Sequence, residues 1–141
     1  MGTEETRAVA LAFFEAVRRS GAGAVKVEAI GAGEIDAMLA PDATWWIAGA
    51  GYIPRDLFMK AHELREGGDP PEPTHYRMDL VGLTVEGERA ALEMDLDTAW
   101  EGGEYKQSYH HAIRVVDGRI VERRQYQGNA TGRTPFKRLE W

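Results

Sequence analysis

Three glycine-bearing turns in the second half of the chain, Glu86-Gly87, Glu101-Gly102-Gly103-Glu104 and Asp117-Gly118, leave little choice in what this sequence can build. Short turns of this kind between runs rich in β-branched and aromatic residues are hairpin signals. They divide the region after His75 into four long strands, 75–85, 89–100, 105–116 and 119–128. A meander of that length must bury one face, and only the first half of the chain is available to cover it.

The first half reads as helices. Thr3 is a fitting N-cap, and Glu4 and Glu5 sit on the positive end of the helix dipole. Val9, Phe13 and Val17 recur at four-residue spacing, Ala10 and Phe14 widen the stripe, and Ser20-Gly21 stops it. The stretch 21–33 is rich in Gly and Ala and reads as either a loop or a frayed helical turn. Glu34 to Leu39 predicts a second short helix, closed by Ala40-Pro41-Asp42, and Ala43 to Ala48 predicts a first strand. Pro54 suits the first turn of a third helix with Leu57, Phe58, Ala61 and Leu64 facing inward, ended by Gly67-Gly68. Helices followed by an antiparallel meander give an α+β fold, with one domain over 1–130 and a tail over 131–141. That tail is open between docking on the outer sheet, closing a pocket mouth and disorder.

Several function classes fall away. The 141 residues include no cysteine, which removes disulfides and thiolate metal sites. A balance of 17 basic against 23 acidic residues, net −6, disfavours nucleic acid as a partner. No apolar run is long enough to span a bilayer, so neither a membrane partner nor an anchor is expected, and the composition suits the cytoplasm. Met1 to Thr6 fits a myristoylation pattern and Asn129-Ala130-Thr131 a glycosylation acceptor, but nothing else supports either. His110 with Asp95 and Asp97 is a weak ligand set that cross-strand charge pairing explains as well, so no metal and no cofactor is expected.

Alternation sorts the strands into two faces. Pairing across Asp117-Gly118 places Val115 opposite Ile120, His111 opposite Arg124 and Tyr109 opposite Tyr126; across Gly102-Gly103 it places Leu96 opposite Tyr109 and Met94 opposite His111. The inner face then runs through Leu92, Met94, Leu96, Thr98 and Trp100, along Tyr105, Gln107, Tyr109, His111, Ile113 and Val115, to Ile120, Glu122, Arg124 and Tyr126. Val81, Leu83 and Val85 are expected to join it and to bring Asp79 and Arg77 with them, unless a β-bulge intervenes. An apolar surface with a few central polar groups is the composition of a small-molecule pocket.

In its order of elements the chain resembles the SnoaL-like and ketosteroid-isomerase branch of the NTF2-like superfamily. The residues that carry the resemblance are Ala40-Pro41-Asp42-Ala43-Thr44-Trp45-Trp46 with Gly49, Gly87-Glu88-Arg89-Ala90-Ala91-Leu92, and the run Tyr105 to Tyr126 with Asp117-Gly118-Arg119-Ile120 and Arg124-Gln125-Tyr126. The resemblance implies a cone-shaped, curved antiparallel sheet packed on N-terminal helices, a pocket between them, and a homodimer. It does not carry isomerase chemistry over. Ile47 stands at the position of the isomerases' general-base aspartate, Phe13 and Phe14 offer no tyrosine for an oxyanion hole, and His111 stands at the second oxyanion acid. Gly128 and Asn129 occupy the place of the cyclases' aspartate, and Arg77 with Asp79 resembles part of the Asp-Arg-Asp set of limonene epoxide hydrolases.

The resulting expectation is a pocket for a small hydrophobic molecule. His111 is its acid/base group, since an imidazole titrates near neutrality, with Asp79 and Tyr126 beside it. Asp79 reads either as a base raised by burial or as an ion-pair partner of Arg77 or Arg124, and the ion pair is the commoner arrangement. Trp45, Ile47, Met94, Leu96, Trp100, Gln107, Tyr109 and Arg124 are expected to line the pocket. Isomerisation, cyclisation, dehydration and epoxide opening all suit such a site. The alternative is a ligand-binding or structural dimerisation module without chemistry.

Overall fold

A computed structural model describes residues 2–23, 30–58, 73–128 and 131–132. Helices α1 (Thr3–Gly23) and α2 (Ile30–Met38) precede strands β1 (Leu39–Ile47) and β2 (Gly51–Tyr52) and a 3-10 turn at Arg55–Leu57. The meander follows as β3 (Pro73–Glu86), β4 (Arg89–Trp100), β5 (Gly103–Val116) and β6 (Arg119–Gln127), with β7 (Thr131–Gly132) after it. The sheet order is β2-β1-β6-β5-β4-β3, and β7 pairs with β5. The meander is antiparallel as expected, whereas β1 runs parallel to β6, so the curved sheet is mixed. At the last hairpin Asp117 and Gly118 have φ of 51° and 75°, the two positive values that a primed two-residue turn needs.

Two early boundaries differ from the sequence reading. The second helix starts at Ile30, and Ala40-Pro41-Asp42 lies inside β1 instead of closing that helix. Pro41 cannot donate to a ladder, and the β1–β6 pairing slips between Leu39 and Thr44, where the proline sits. Of the expected third helix only the turn at Arg55–Leu57 and Phe58 is described; Ala61, Leu64 and Gly67-Gly68 lie outside the described residues, as do residues 24–29 of the Gly/Ala stretch and the tail beyond Gly132.

The core lies between α1 and the sheet. Ala10, Phe13, Phe14 and Ala16 of α1 bury against Leu92, Met94, Ile113, Val115 and Ile120. Polar staples fix the helix on the sheet: Thr6 Oγ1 donates to Gly87 O (2.6 Å), Gly87 N donates to Thr3 Oγ1 (3.3 Å), and the Tyr76 phenol donates to Arg18 O (2.9 Å). Thr6 is buried. Thr6→Val keeps its shape but leaves the Gly87 carbonyl without that donor, so a loss of about 1–3 kcal/mol is expected in urea unfolding. An unchanged midpoint would show that the staple is dispensable.

Strand register decides what faces the helices. Between β4 and β5 the turn closes on Glu101-Gly102, giving Leu92↔His111, Met94↔Tyr109 and Leu96↔Gln107. This is two residues from the expected pairing, and an even slip preserves the faces. Between β5 and β6 Val115 pairs with Ile120 as expected, but Arg114 then pairs with Glu122, so Val121 is an extra residue. Every later side chain of β6 is thereby reversed. Arg123 is buried and pairs with Ile113, while Tyr126 is 39% exposed. A second bulge between Leu80 and Gly82 pushes Val81 out to 62% exposure. Leu83 and Val85 pack on the core as expected, yet before the bulge Met78 and Leu80 face in, in place of Arg77 and Asp79.

Candidate functional site

The helix-facing side of β1, β5 and β6 carries a compact polar group set in apolar surroundings. His111, 2% exposed at the middle of β5, meets the Phe13 ring edge-on, with centroids 5.3 Å apart at 70°. The Tyr109 ring lies 6.3 Å from the imidazole. Arg123, 3% exposed, places its guanidinium carbon 4.0 Å from the centre of the Trp45 ring and 5.1 Å from that of Phe13. Phe13 therefore touches both the imidazole and the guanidinium. Phe58 closes the group by packing edge-on against Trp45 at 5.5 Å.

A carboxamide organises the donors. Gln125 Oε1 accepts from Trp45 Nε1 (3.2 Å) and from Arg123 Nη2 (3.4 Å), while its Nε2 donates to Gln127 Oε1 (3.0 Å). Burial lowers the Arg123 guanidinium to about 9, since a cation out of water is disfavoured. It still carries its charge at neutral pH. Cation–π contact with two rings offsets part of that desolvation.

Phenols gather along the same face. Gln107 Nε2 donates to Tyr105 Oη (3.4 Å). Tyr109 is pushed well above the usual phenol range, first by burial and then by Tyr105 and Tyr76. It therefore remains a protonated donor throughout the physiological range. Tyr76 is raised to about 12, chiefly by burial, with Arg18 working against the rise. A phenol raised in the folded state stabilises the fold below its unfolded value near 10, and that stability is lost as pH climbs through the folded value. Arg123 acts in the opposite direction above pH 9, so the comparison of wild type with Tyr76→Phe isolates the phenol. The wild type is expected to lose about 2–3 kcal/mol more than the variant between pH 9 and 12.5. Parallel urea curves for the two proteins would contradict this.

Of the residues singled out from the sequence, Trp45, Met94, Leu96, Gln107 and His111 are buried on the helix-facing side. Tyr109 and Ile47 are partly buried against the same core. Trp100 is half-buried with its ring lying over Gly103, where a Cβ would stand 2.9 Å from it. Three expected members of the site are elsewhere. Asp79 lies on the outer face, ion-paired with Arg77 at 2.7 Å, because the bulge at Val81 sets the parity of β3. The bulge at Val121 likewise turns Arg124 and Tyr126 outward, where Arg124 stacks on Trp46 at 4.0 Å and donates to the Tyr126 hydroxyl (3.2 Å). In their place the structure brings in Arg123 and Gln125, which alternation alone had put on the outer face. The signal for them was the adjacent pair Ile120-Val121, two apolar residues in succession within an alternating strand.

The outer face is polar. A shallow depression of about 420 Å³ is lined there by Arg77, Asp79, Asp95, Asp97, Lys106 and Ser108. Asp95 accepts from Ser108 Oγ (2.8 Å), and among the described residues no group of three or more His, Asp or Glu is placed to hold a metal. Also among the described residues, no helix is long and apolar enough to cross a membrane.

Comparison with known proteins agrees with this architecture. The SnoaL-like domain family matches residues 10–123. No curated protein sequence matches the chain. Among solved structures, an LEH-like epoxide hydrolase from M. tuberculosis has a TM-score of 0.60 at 16% identity, covering 89% of this chain and 84% of the other. A SnoaL-like protein from Jannaschia sp. CCS1, provisionally assigned as a polyketide cyclase, scores 0.66 at 10% identity over 89% and 86% of the two chains. An NTF2-like protein from Burkholderia xenovorans LB400 scores 0.57 at 19% identity over 91% and 92%. At these identities the similarity is one of fold.

Proposed function

Since this chain belongs to the SnoaL-like domain family, we propose that it takes up a small hydrophobic molecule against the helix-facing side of its sheet and moves a proton on it with His111. The observation that carries this reading is the burial of that imidazole, 2% exposed, among Phe13, Leu92 and Tyr109. An imidazole can both accept and donate a proton, and one that sits on an apolar wall is placed for general acid/base work. Tyr109, held protonated, supplies a donor for a substrate oxygen. Isomerisation, cyclisation, dehydration and epoxide opening share this requirement of one mobile proton and one stabilised oxygen.

A panel of cyclic ketones and epoxides incubated with the protein in D2O tests the reading. Deuterium entering a ketone next to its carbonyl, or epoxide opening, above the buffer rate supports proton transfer. Members that bind and come back unchanged would favour a second reading, a binding module without chemistry. One observation speaks for that second reading: among the described residues the buried polar side chains are Thr6, Thr98, Gln107, His111 and Arg123, with no carboxylate. The polar outer face, with half-buried Trp46 and Arg124 stacked beside exposed Tyr126 at one end and Asp79, Asp95 and Asp97 in its depression, suits a homodimer in the cytoplasm.

A further inference from the structure

Two charged side chains on the outer face of the sheet are related by their places in the ladder. Arg124 stacks on Trp46 at 4.0 Å and donates from Nε to the Tyr126 hydroxyl (3.2 Å), while the carboxylate of its own strand, Glu122, lies 3.7 Å from Arg114. Asp95 accepts from Ser108 Oγ (2.8 Å), and Asp79, opposite it in β3, pairs with Arg77 (2.7 Å). Among the described residues neither Arg124 nor Asp95 has an ion-pair partner. Arg124 in β6 pairs with Ala112, and Asp95 in β4 pairs with Ser108. The two therefore lie on opposite sides of β5, two residues up and two residues down from His110. A cation and an anion set symmetrically about one point make a face complementary to itself.

The two corners differ in chemistry as well as charge. Around Arg124, Tyr126 is 39% exposed and Tyr52, paired with half-buried Trp46, is 63% exposed. Trp, Tyr and Arg are the side chains that dominate binding energy where two proteins meet. Around Asp95 lies the acidic depression, with Asp79 and Asp97 beside it. Between the corners Ala112 stands opposite Ala91, and both are too small to hold a second sheet away.

We propose that a second copy of this chain packs its outer sheet face on this one about a two-fold axis over His110, with Arg124 of each copy paired to Asp95 of the other. This deepens the homodimer reading above and rests on it. A two-fold dimer makes every contact twice, and between two sheets packed face to face the axis lies in the plane that separates them. An axis over His110, at right angles to the line from Arg124 to Asp95, sets the aromatic corner of each copy over the acidic depression of the other. The guanidinium then keeps Trp46 on one face and meets a carboxylate with its free edge, the two contacts for which Arg is built. Charge complementarity fixes the register of the pair, and the exposed rings supply the buried area.

Sedimentation equilibrium of the full chain and two charge-reversal variants tests this. Arg124→Glu sets like charges against each other at both contacts of the dimer, and so does Asp95→Arg. Each alone is expected to weaken association about a hundredfold or more. An equal mixture of the two variants has opposite charges at both contacts again, so a heterodimer close to wild-type affinity is expected. Since the chain has no cysteine, His110→Cys supplies a single thiol over the axis, which a short bismaleimide should join copy to copy, whereas Glu104→Cys, far from the axis, should stay unjoined. This crosslink decides the matter if a charge-reversal variant does not fold. A wild-type dimer that survives either reversal, a mixture of variants that stays monomeric, or a joined Glu104→Cys beside an unjoined His110→Cys would overturn this register and leave the homodimer reading intact. A monomeric wild type would remove both.

Discussion

Phe13→Ala is expected to lower unfolding free energy by about 3–5 kcal/mol, the range for emptying a fully buried aromatic position. Phe13 is 0% exposed and lies where α1 meets the sheet. Its ring supports the edge of the His111 imidazole and one face of the Arg123 guanidinium, so the truncation removes apolar packing and half of a cation's mount at once. Single domains hold only about 5–15 kcal/mol in total, so the variant should be marginal at 37 °C. Urea unfolding followed by circular dichroism reads the difference. Phe13→Leu keeps most of the volume and should lose less, while still withdrawing the ring from Arg123. A Phe13→Ala penalty under about 1 kcal/mol would mean that the helix does not seal this face as described.

His111→Asn is expected to reduce proton exchange or turnover by about 10²- to 10⁴-fold, the usual contribution of a general acid/base group. Asparagine is close in size and can hydrogen-bond, but it has no basic nitrogen to take up and return a proton. Ligand affinity should therefore change only a few-fold, and the effect should fall on kcat, not on KM. A retained cooperative melt is the necessary control, since the position is buried against Phe13. Turnover equal to wild type would take His111 out of the reaction and leave Tyr109 as a binding group only.

Much of the fold was readable in the chain because its strands are long, alternating and punctuated by glycine. Leu92, Met94, Leu96, Gln107, His111 and Ile113 face the helices as their alternation demanded, even though the β4–β5 pairing lies two residues away from the one expected. Parity survives an even slip and fails under an odd one. That is why Asp79, Arg124 and Tyr126 were misplaced: each lies on a bulged strand, on the side of the bulge whose parity was read wrongly. Gly82 was a usable hint, since glycine inside a strand often marks a bulge, and here a Cβ would stand 2.5 Å from the Glu93 carboxylate. The β1–β6 contact was not readable, because parallel pairing between strands about 80 residues apart leaves no local turn signal.

The extra residue in β6 also means that this strand encodes two interiors. With Val121 bulged out of the ladder, Arg123 and Gln125 are presented to the helices; the same residues running without a bulge would present Glu122, Arg124 and Tyr126 instead. Removal of the three nucleotides that encode Glu122, with the bulge kept, would move every later residue one place along β5 and exchange the lining of Arg123 and Gln125 for one of Arg124 and Tyr126, a guanidinium and a phenol, whereas removal of Val121 would leave the lining as it is. For a scaffold of this shape, insertions and deletions of one residue are then a route to new chemistry that no series of point substitutions reaches in a single step. A search for relatives of altered specificity should count residues between Ile120 and the end of the strand before it compares their identities.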